Sequence, residues 1–446
     1  MRSLRAGAGT IADLATLAVL ATIAVLVFSV GSRAAVAQKT VTLPKHEVEF
    51  SEPFTLLGGL RELKDGRVVV SDSRDKTLQL IDFKAGSAAK IGREGQGPGE
   101  YSFAGRLIAL PGDTTAMYDL LNSRYLLIGP DGKAGKDFRL EEETGSEGGR
   151  AGPGGAAGRG GVDDAGRGGR GGRAGGGPGG PGGFGGGMRI GGAQPKGTDG
   201  RGRIYYEGSS LKMTAEGIPA PSDSAPIMRY DRGTKRADTV AWAHLPATVV
   251  KASGSANNRN VMISQNPFGL RDDWAVFADG RVAVARAADY HVDFYAPTGG
   301  TRSTTPVKFE RLAFTEADKQ EYRDSRKNAV GMTVSNENGK VTRSAGPMRE
   351  TAPDPEWPQY KTPFPNNAVW ARPNGELWIA RTLKAGDKVP TFNVFDAQGK
   401  LLGVVALAPR TKLVGFGAQT LYAVRVDADD LQYLQRYRLR ESPIAP

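Results

Sequence analysis

Six charged residues close six equivalent strand-like segments of this 446-residue chain, and they are the best candidates for binding chemistry. In chain order they are Asp72, Asp119, Glu207, Arg286, Arg381 and Arg425. The first three carry carboxylates and the last three carry guanidinium groups. A guanidinium group holds a carboxylate or phosphate through paired hydrogen bonds. The pattern therefore predicts a binding rim for a zwitterionic or peptide-like ligand, or for an anionic group held by the Arg half.

A structural role for the same six side chains stays open. An Asp at the end of a strand often accepts hydrogen bonds from the backbone of the following turn. An Arg at the equivalent position can pair with a neighbouring carboxylate, and such ion-pair networks occur without function. Three guanidinium groups beside three carboxylates disfavour calcium or another hard cation, which prefers oxygen ligands without adjacent cations.

The elements that must position these residues are repeats of turn, strand, turn and strand. In the first repeat, Asp65-Gly66 is a turn signal, residues 67–71 form a β-branched run, and residues 77–81 alternate in polarity. Five further units follow, so that six in all recur at a spacing close to the 40–50 residues that are typical of propeller blades, apart from the insertions. The sequence predicts an all-β fold, a six-bladed β-propeller of four-stranded antiparallel blades. Residues 40–50 are expected to complete the last blade, and a β-sandwich is the alternative.

Two insertions interrupt the propeller, which is predicted to span residues 39–446. Residues 145–198 are rich in Gly and Arg and predict a disordered loop. Phe184 is its one aromatic residue, so the loop lacks the aromatic platforms of single-stranded nucleic-acid binders, and no nucleic-acid partner is predicted. Residues 309–367 predict an insertion with one helix, which starts at a capping box over residues 315–318 and runs to about Asn328. This insertion is a candidate wall for a binding site.

The N-terminus predicts export. Arg2 and Arg5 precede an apolar run over residues 14–30, and Ala35-Val36-Ala37 provides a cleavage site. Residues 1–37 are therefore expected to be a signal peptide, which places the protein in the periplasm or outside the cell. The alternative is a membrane anchor formed by residues 14–30, and only this uncleaved form would make the membrane a partner.

Three motifs carry a resemblance to a known family. Residues 65–72, Asp-Gly-Arg-Val-Val-Val-Ser-Asp, together with Leu-Gln-Leu-Ile-Asp at 78–82, resemble an NHL-type blade. Residues 91–101 are similar to the Gly-Pro-Gly-Glu-aromatic link of the exported bacterial six-bladed propeller family, and residues 360–365 before the Gly-Glu-Leu-Trp strand are similar to it too. The resemblance implies the fold for nearly all of the chain after the signal peptide. It adds little on function, because the family is largely without assigned biochemistry.

No catalytic signature stands out in the sequence. There is no cysteine, no nucleophile elbow and no zincin motif, and the three histidines are far apart in the chain. The sequence predicts a non-enzymatic binding module for an unknown small molecule, peptide or protein on one propeller face, with no cofactor. The alternative is a lactonase-like, metal-dependent hydrolase or lyase with a divalent metal on the channel axis. A third hypothesis assigns surface adhesion to the Gly/Arg loop.

Overall fold

A computed structural model describes residues 39–140, 194–214, 219–255, 258–327, 330–337, 340–347 and 354–444. Six sheets, each built on four antiparallel strands, dominate this part of the chain, and one of them carries a fifth strand. They are numbered as blades 1 to 6 in chain order. They confirm the predicted six-bladed arrangement. The predicted signal peptide and nearly all of the predicted Gly/Arg loop lie outside the described residues.

Within each of the first three blades, consecutive strands along the chain are neighbours in the sheet. Blade 1 consists of Leu57–Glu62, Val68–Asp72, Thr77–Asp82 and Ser87–Lys90. Blade 2 consists of Leu107–Leu110, Thr114–Asp119, Arg124–Ile128 and Ala134–Phe138. Blade 3 consists of Pro195–Thr198, Ile204–Glu207, Ser224–Asp231 and Arg236–His244.

The other three blades follow the same order, and the N-terminal segment joins the last two. Blade 4 consists of Asp273–Val276, Val282–Arg286, His291–Tyr295 and Thr301–Ser303. Blade 5 consists of Val369–Ala371, Leu377–Ala380, Thr391–Phe395 and Leu401–Ala406, with Thr40–Thr42 added in parallel at its edge. Blade 6 consists of Thr411–Phe416, Thr420–Val426, Gln432–Arg438 and Val48–Glu49.

The ring is closed by a strand from the N-terminal segment, as was predicted for residues 40–50. Val48–Glu49 pairs antiparallel with Gln432–Arg438 and so completes blade 6 from the opposite end of the chain. The first strand of each blade is innermost, because first strands of neighbouring blades contact one another. Apolar side chains fill the space between blades: Val68, Val69 and Val70 are all fully buried, since both faces of blade 1 are covered.

One end of the ring carries all six predicted rim positions. Antiparallel pairing sets the start of each first strand beside the end of the second strand, so that Asp273 lies opposite Ala285 and Thr411 lies opposite Arg425. The connections between blades leave from the same end, because each blade has four strands. We call this end of the ring the mouth face.

Smaller elements decorate the blades and their connections. They are the hairpins Leu211–Met213 with Pro219–Pro221, Thr248–Ser255 with Asn258–Gln265, and Val330–Glu337 with Lys340–Pro347, the short parallel pair Arg93–Glu94 with Glu100–Tyr101, and the 3-10 turn Pro111–Asp113. The parallel pair lies in the glycine-rich link between blades 1 and 2. There Gly92 has φ +60°, and a Cβ on it would lie 2.5 Å from the Gly99 carbonyl oxygen, so the crossover requires glycine.

The insertion before blade 5 contains the predicted helix, which spans Glu316–Lys327. The capping box is present: Thr315 donates its backbone N–H and its hydroxyl to Asp318 Oδ2 at 2.8 and 2.7 Å. The sequence did not indicate the hairpin that follows the helix. It also did not indicate the strand Pro195–Thr198, which falls inside the range predicted for the disordered loop. That strand has no β-branched apolar residue, and its pairing with Ile204–Glu207 explains its conformation.

Candidate functional site

Two of the six predicted rim residues are buried and bonded to the backbone. Asp72 accepts four backbone N–H bonds of 2.6–3.1 Å, from the connection that enters blade 1 and from the turn that follows the second strand. Asp119 accepts bonds from the N–H groups of Ser102 and Phe103, both at 3.1 Å, and from Asn122 Nδ2 at 2.6 Å. These carboxylates fix their blades to the preceding connections, and Asp72 also binds the turn that follows its strand.

Two further rim residues pair with charges from the connection between blades 3 and 4 and, for Arg286, also from the third strand of blade 4. Glu207 accepts bonds of 2.7 Å through both carboxylate oxygens from Arg271. Arg286 donates to Asp272 and Asp293, each at 2.7 Å. Burial alone lowers the pKa of Arg286, but the bonds to the two carboxylates outweigh it and raise the pKa above its ordinary value. Both rim residues are therefore occupied by internal ion pairs.

Arg425 pairs with the strand that closes the ring. Its guanidinium group donates to the two oxygens of Glu49 at 2.8 and 3.0 Å, and Gln435 Nε2 donates to Glu49 Oε2 at 2.6 Å. The guanidinium also stacks over the Tyr433 ring at 4.4 Å. The contacts link blade 6 to the N-terminal segment.

Arg381 is the sixth rim residue and differs from the other five. Its side chain makes no hydrogen bond or ion pair with any residue that the structure describes. It lines a cavity of about 380 Å³ on the mouth face. The predicted insertion provides one wall of this cavity through Phe309, Glu310, Leu312, Thr362 and Pro363. The structure thus brings one predicted rim residue together with the predicted wall.

The cavity combines positive charge with apolar surface. Its cations are Arg381, Lys384 and Lys388, and its acids are Glu310 and Asp387. Lys384 pairs with Glu310 at 3.1 Å between exposed side chains, so this pair is nearly neutral as seen from the cavity. Leu312 and Val389 contribute apolar surface, and Val389 is 40% exposed.

Tyr290 forms the buried part of the lining. Its hydroxyl accepts a hydrogen bond of 2.6 Å from Asn393 Nδ2. Burial raises the pKa of the Tyr290 phenol, and the charge of Arg381 opposes this rise. Arg381 and Tyr290 thus line the same cavity, and Arg381 as a residue is half-buried.

Several contacts hold the insertion against blade 5 and the connection between blades 3 and 4. Lys361 Nζ pairs with the Asp318 carboxylate and donates to the Leu383 carbonyl at 2.8 Å. Four rings pack with centroids 4.8–5.6 Å apart; they belong to Phe268, Phe314, Tyr322 and Trp357. These contacts hold the insertion, which forms one wall of the cavity, against the propeller both before and after its helix.

A second charged group lies on the mouth face and was missed by the sequence analysis. Arg106, Lys196 and Asp273 stand at the beginning of the first strands of blades 2, 3 and 4. Lys196 Nζ pairs with Asp273 Oδ1 and lies 5.3 Å from the centre of the Trp274 ring. The predicted rim consists only of residues that end the second strands. Arg106, Lys196 and Asp273 occupy a different repeat position, at the starts of the first strands, where the sequence carries the same kind of charge signal.

Other kinds of site have no support in the described part of the chain. No three His, Asp or Glu side chains among these residues are placed to hold a metal ion. His291 contacts Asp289 at 2.6 Å and Asp293 at 3.3 Å, while His46 stacks edge-on against Tyr437. None of the described helices is both long and apolar enough to span a membrane.

Comparisons with known proteins show similarity to solved structures in fold only. No family model matches the chain, and no curated protein matches its sequence. A member of the DUF4221 family from Bacteroides vulgatus has 8% identity and a TM-score of 0.42, over 88% of this chain and 96% of its own. A Bacteroides fragilis protein described as exported has 10% identity and a TM-score of 0.39, over 90% of this chain and 100% of its own.

A third similar structure is an enzyme. Virginiamycin B lyase from Staphylococcus aureus has 10% identity and a TM-score of 0.35, over 87% of this chain and 97% of its own. At such identities and TM-scores, none of these similarities carries an argument about function. The six-bladed arrangement that the family resemblance implied is nevertheless present in the sheets of this chain.

Proposed function

We propose that this protein is an exported binding module that holds the carboxylate of a partly apolar ligand beside Arg381. The observation that carries the proposal is the contrast among the six rim residues. Five are bonded to internal partners, whereas the Arg381 guanidinium is unpaired among the described residues and lines a cavity. A half-buried guanidinium without a carboxylate gives up part of its hydration and gains no ion pair, and an anionic ligand would supply that pair.

The chemistry of the lining defines the ligand class. Arg381 and Lys388 are cations without an ion-pair partner in the described chain, and they favour an anionic group. Phe309, Leu312 and Val389 favour an apolar group beside that anion. A short peptide with an apolar C-terminal residue, or an organic acid of similar shape, has both features. The Asp387 carboxylate offers a position for an amino group, which suits a zwitterionic ligand.

Export supports a ligand that is found outside the cytoplasm. The basic flank, apolar run and Ala-x-Ala site of residues 1–37 support this part of the proposal. Sequencing the N-terminus of protein recovered from the periplasm or the medium tests it. Cleavage after Ala37 is expected, and an intact N-terminus in the membrane fraction would show instead that residues 14–30 anchor the protein.

Isothermal titration calorimetry with a panel of acetylated dipeptides that end in Leu, Phe or Gly tests the binding site. We expect the peptides ending in Leu or Phe to bind more tightly than the peptide ending in Gly. Arg381→Gln should weaken binding about 10- to 100-fold, because a hydrogen bond to a charged group contributes about 1.5–3 kcal/mol. Arg440→Gln is the matched control, since Arg440 is exposed and distant in sequence from the lining residues. Equal affinity in the wild type and Arg381→Gln would refute the proposed site.

A further inference from the structure

We propose that Arg106 and Lys196 form a second anion site, at the mouth of the central channel, which takes a single small oxyanion. Arg106 immediately precedes the first strand of blade 2, and Lys196 lies in the first strand of blade 3. First strands line the channel, and their starts lie on the mouth face. The two cations therefore stand side by side where the channel opens. This site is distinct from the Arg381 cavity, which blade 5 and the insertion form.

One carboxylate faces these two cations, and its oxygens are already used. Asp273 Oδ1 pairs with Lys196 and accepts the Trp274 N–H at 2.9 Å, while Oδ2 accepts the Val369 N–H at 3.0 Å. The Arg106 guanidinium donates no hydrogen bond to any described residue. Glu207 acts on Lys196 at longer range but is engaged through both oxygens by Arg271. Arg106, Lys196 and Asp273 together therefore carry a net charge of one positive unit.

The two cations are also desolvated. Burial lowers the pKa of Arg106, and the attraction of Asp273 does not restore it. Burial lowers the pKa of Lys196 as well, and the charge of Arg106 adds to this decrease. The Lys196 side chain keeps 16% of its surface exposed. Two neighbouring cations away from water lose hydration and repel each other. A bound oxyanion offsets both the desolvation and the repulsion.

The geometry favours an anion with several oxygens. A guanidinium group presents a planar fork of donors that matches two oxygens of a phosphate or carboxylate. An ammonium group beside it adds a point charge with further donors. Inorganic phosphate satisfies both, whereas chloride offers no paired oxygens to the fork. The site should therefore discriminate between phosphate and chloride at equal ionic strength.

The test compares sodium phosphate with sodium chloride at equal ionic strength, using the full-length mature protein. Phosphate is expected to raise the melting temperature of the wild type above its value in chloride, and calorimetry should show one bound phosphate. Arg106→Gln should weaken phosphate binding about tenfold or more, because the bidentate contact is lost. In chloride, Arg106→Gln should be at least as stable as the wild type, because the repulsion with Lys196 is removed. Arg440→Gln serves as the matched control and should behave as the wild type.

The outcomes separate this site from the proposed function. Arg381→Gln should retain phosphate binding at the channel mouth, and Arg106→Gln should retain peptide binding in the cavity. Should Arg106→Gln fail to fold, Arg106→Lys keeps the charge but not the fork and should bind phosphate more weakly than the wild type. An absent phosphate effect in the wild type would overturn the proposal. Lower stability of Arg106→Gln in chloride, with unchanged phosphate binding, would assign Arg106 a structural role instead.

Discussion

Replacing Glu49 by Gln tests how the ring is closed. Glu49 lies in the two-residue strand that completes blade 6, and its carboxylate receives two bonds from Arg425 and one from Gln435. The partners are 376 residues apart in the chain, so this contact joins its two ends. The variant keeps one acceptor oxygen and the shape of the side chain. It removes the charge and the second acceptor.

The expected loss follows from the exposure of the pair. The side chains of Arg425 and Glu49 are 38% and 25% exposed, so water screens their attraction and the ion pair contributes about 1 kcal/mol at most. Loss of one of the three hydrogen bonds adds about 1 kcal/mol. Glu49→Gln should therefore lower the free energy of unfolding by about 1–2 kcal/mol at neutral pH.

The pH dependence of this difference is specific to the pair. The bond from Arg425 holds the pKa of Glu49 below its usual 4.5 in the folded protein. The contribution of the carboxylate is therefore complete above the unfolded pKa and is lost as the pH falls through the lowered folded value. Urea unfolding followed by fluorescence, at neutral and acidic pH, should show wild type and variant converging in acid.

The matched control for this prediction is Glu52→Gln. Glu52 is exposed three residues further along and has no ion-pair partner among the residues of the structure. Its replacement should leave the free energy of unfolding unchanged at both pH values. A Glu49→Gln variant as stable as the wild type at neutral pH, or a difference that persists undiminished in acid, would refute this account of ring closure.

Three more substitutions test contacts within the blades and the attachment of the insertion. Asp72→Ala should lower the free energy of unfolding by about 3 kcal/mol in urea titrations, with a smaller loss for Asp72→Asn, because buried backbone donors lose their acceptor. Lys361→Met should weaken peptide binding in calorimetry and also lower the free energy of unfolding, because it releases the insertion from Leu383 and leaves the buried Asp318 carboxylate without its ion-pair partner. Burial and the charge of Asp199 raise the pKa of Tyr205 to about 12, so Tyr205→Phe should remove the part of the tyrosinate absorbance change that develops near pH 12 in an alkaline titration.

The blades could be predicted because their own residues specify them. The run Val68–Val70 is buried on both faces of blade 1, and a β-branched run bounded by turns indicates such a strand wherever it occurs. The start of the helix at Thr315 could also be predicted, because it depends on a capping box formed by neighbouring residues. By contrast, Pro195–Thr198 has no strand signal of its own, since its conformation follows from pairing in the finished sheet.

The partners of the rim charges could not be predicted in the same way. Glu207 is paired by Arg271, and Arg425 by Glu49, and each partner comes from a connection or a distant segment whose path the repeats do not determine. The repeat pattern shows that a charged residue ends a strand. Its ion-pair partner depends on the paths of the connections, which the repeats do not determine. Arg381 and Arg286 occupy the same position in their repeats, at the end of the second strand. Only the fold determines that Arg286 meets two carboxylates whereas Arg381 lines a cavity.

A double cycle of protein variant and ligand tests the central claim most directly. Calorimetry measures the binding of an acetylated Leu dipeptide as free acid and as C-terminal amide, to wild type and to Arg381→Gln. If Arg381 holds the ligand carboxylate, loss of either group should weaken binding and loss of both should add little more, with a coupling energy of about 1.5–3 kcal/mol. A coupling energy of zero, or equal affinity of the acid and the amide for the wild type, would contradict the claim.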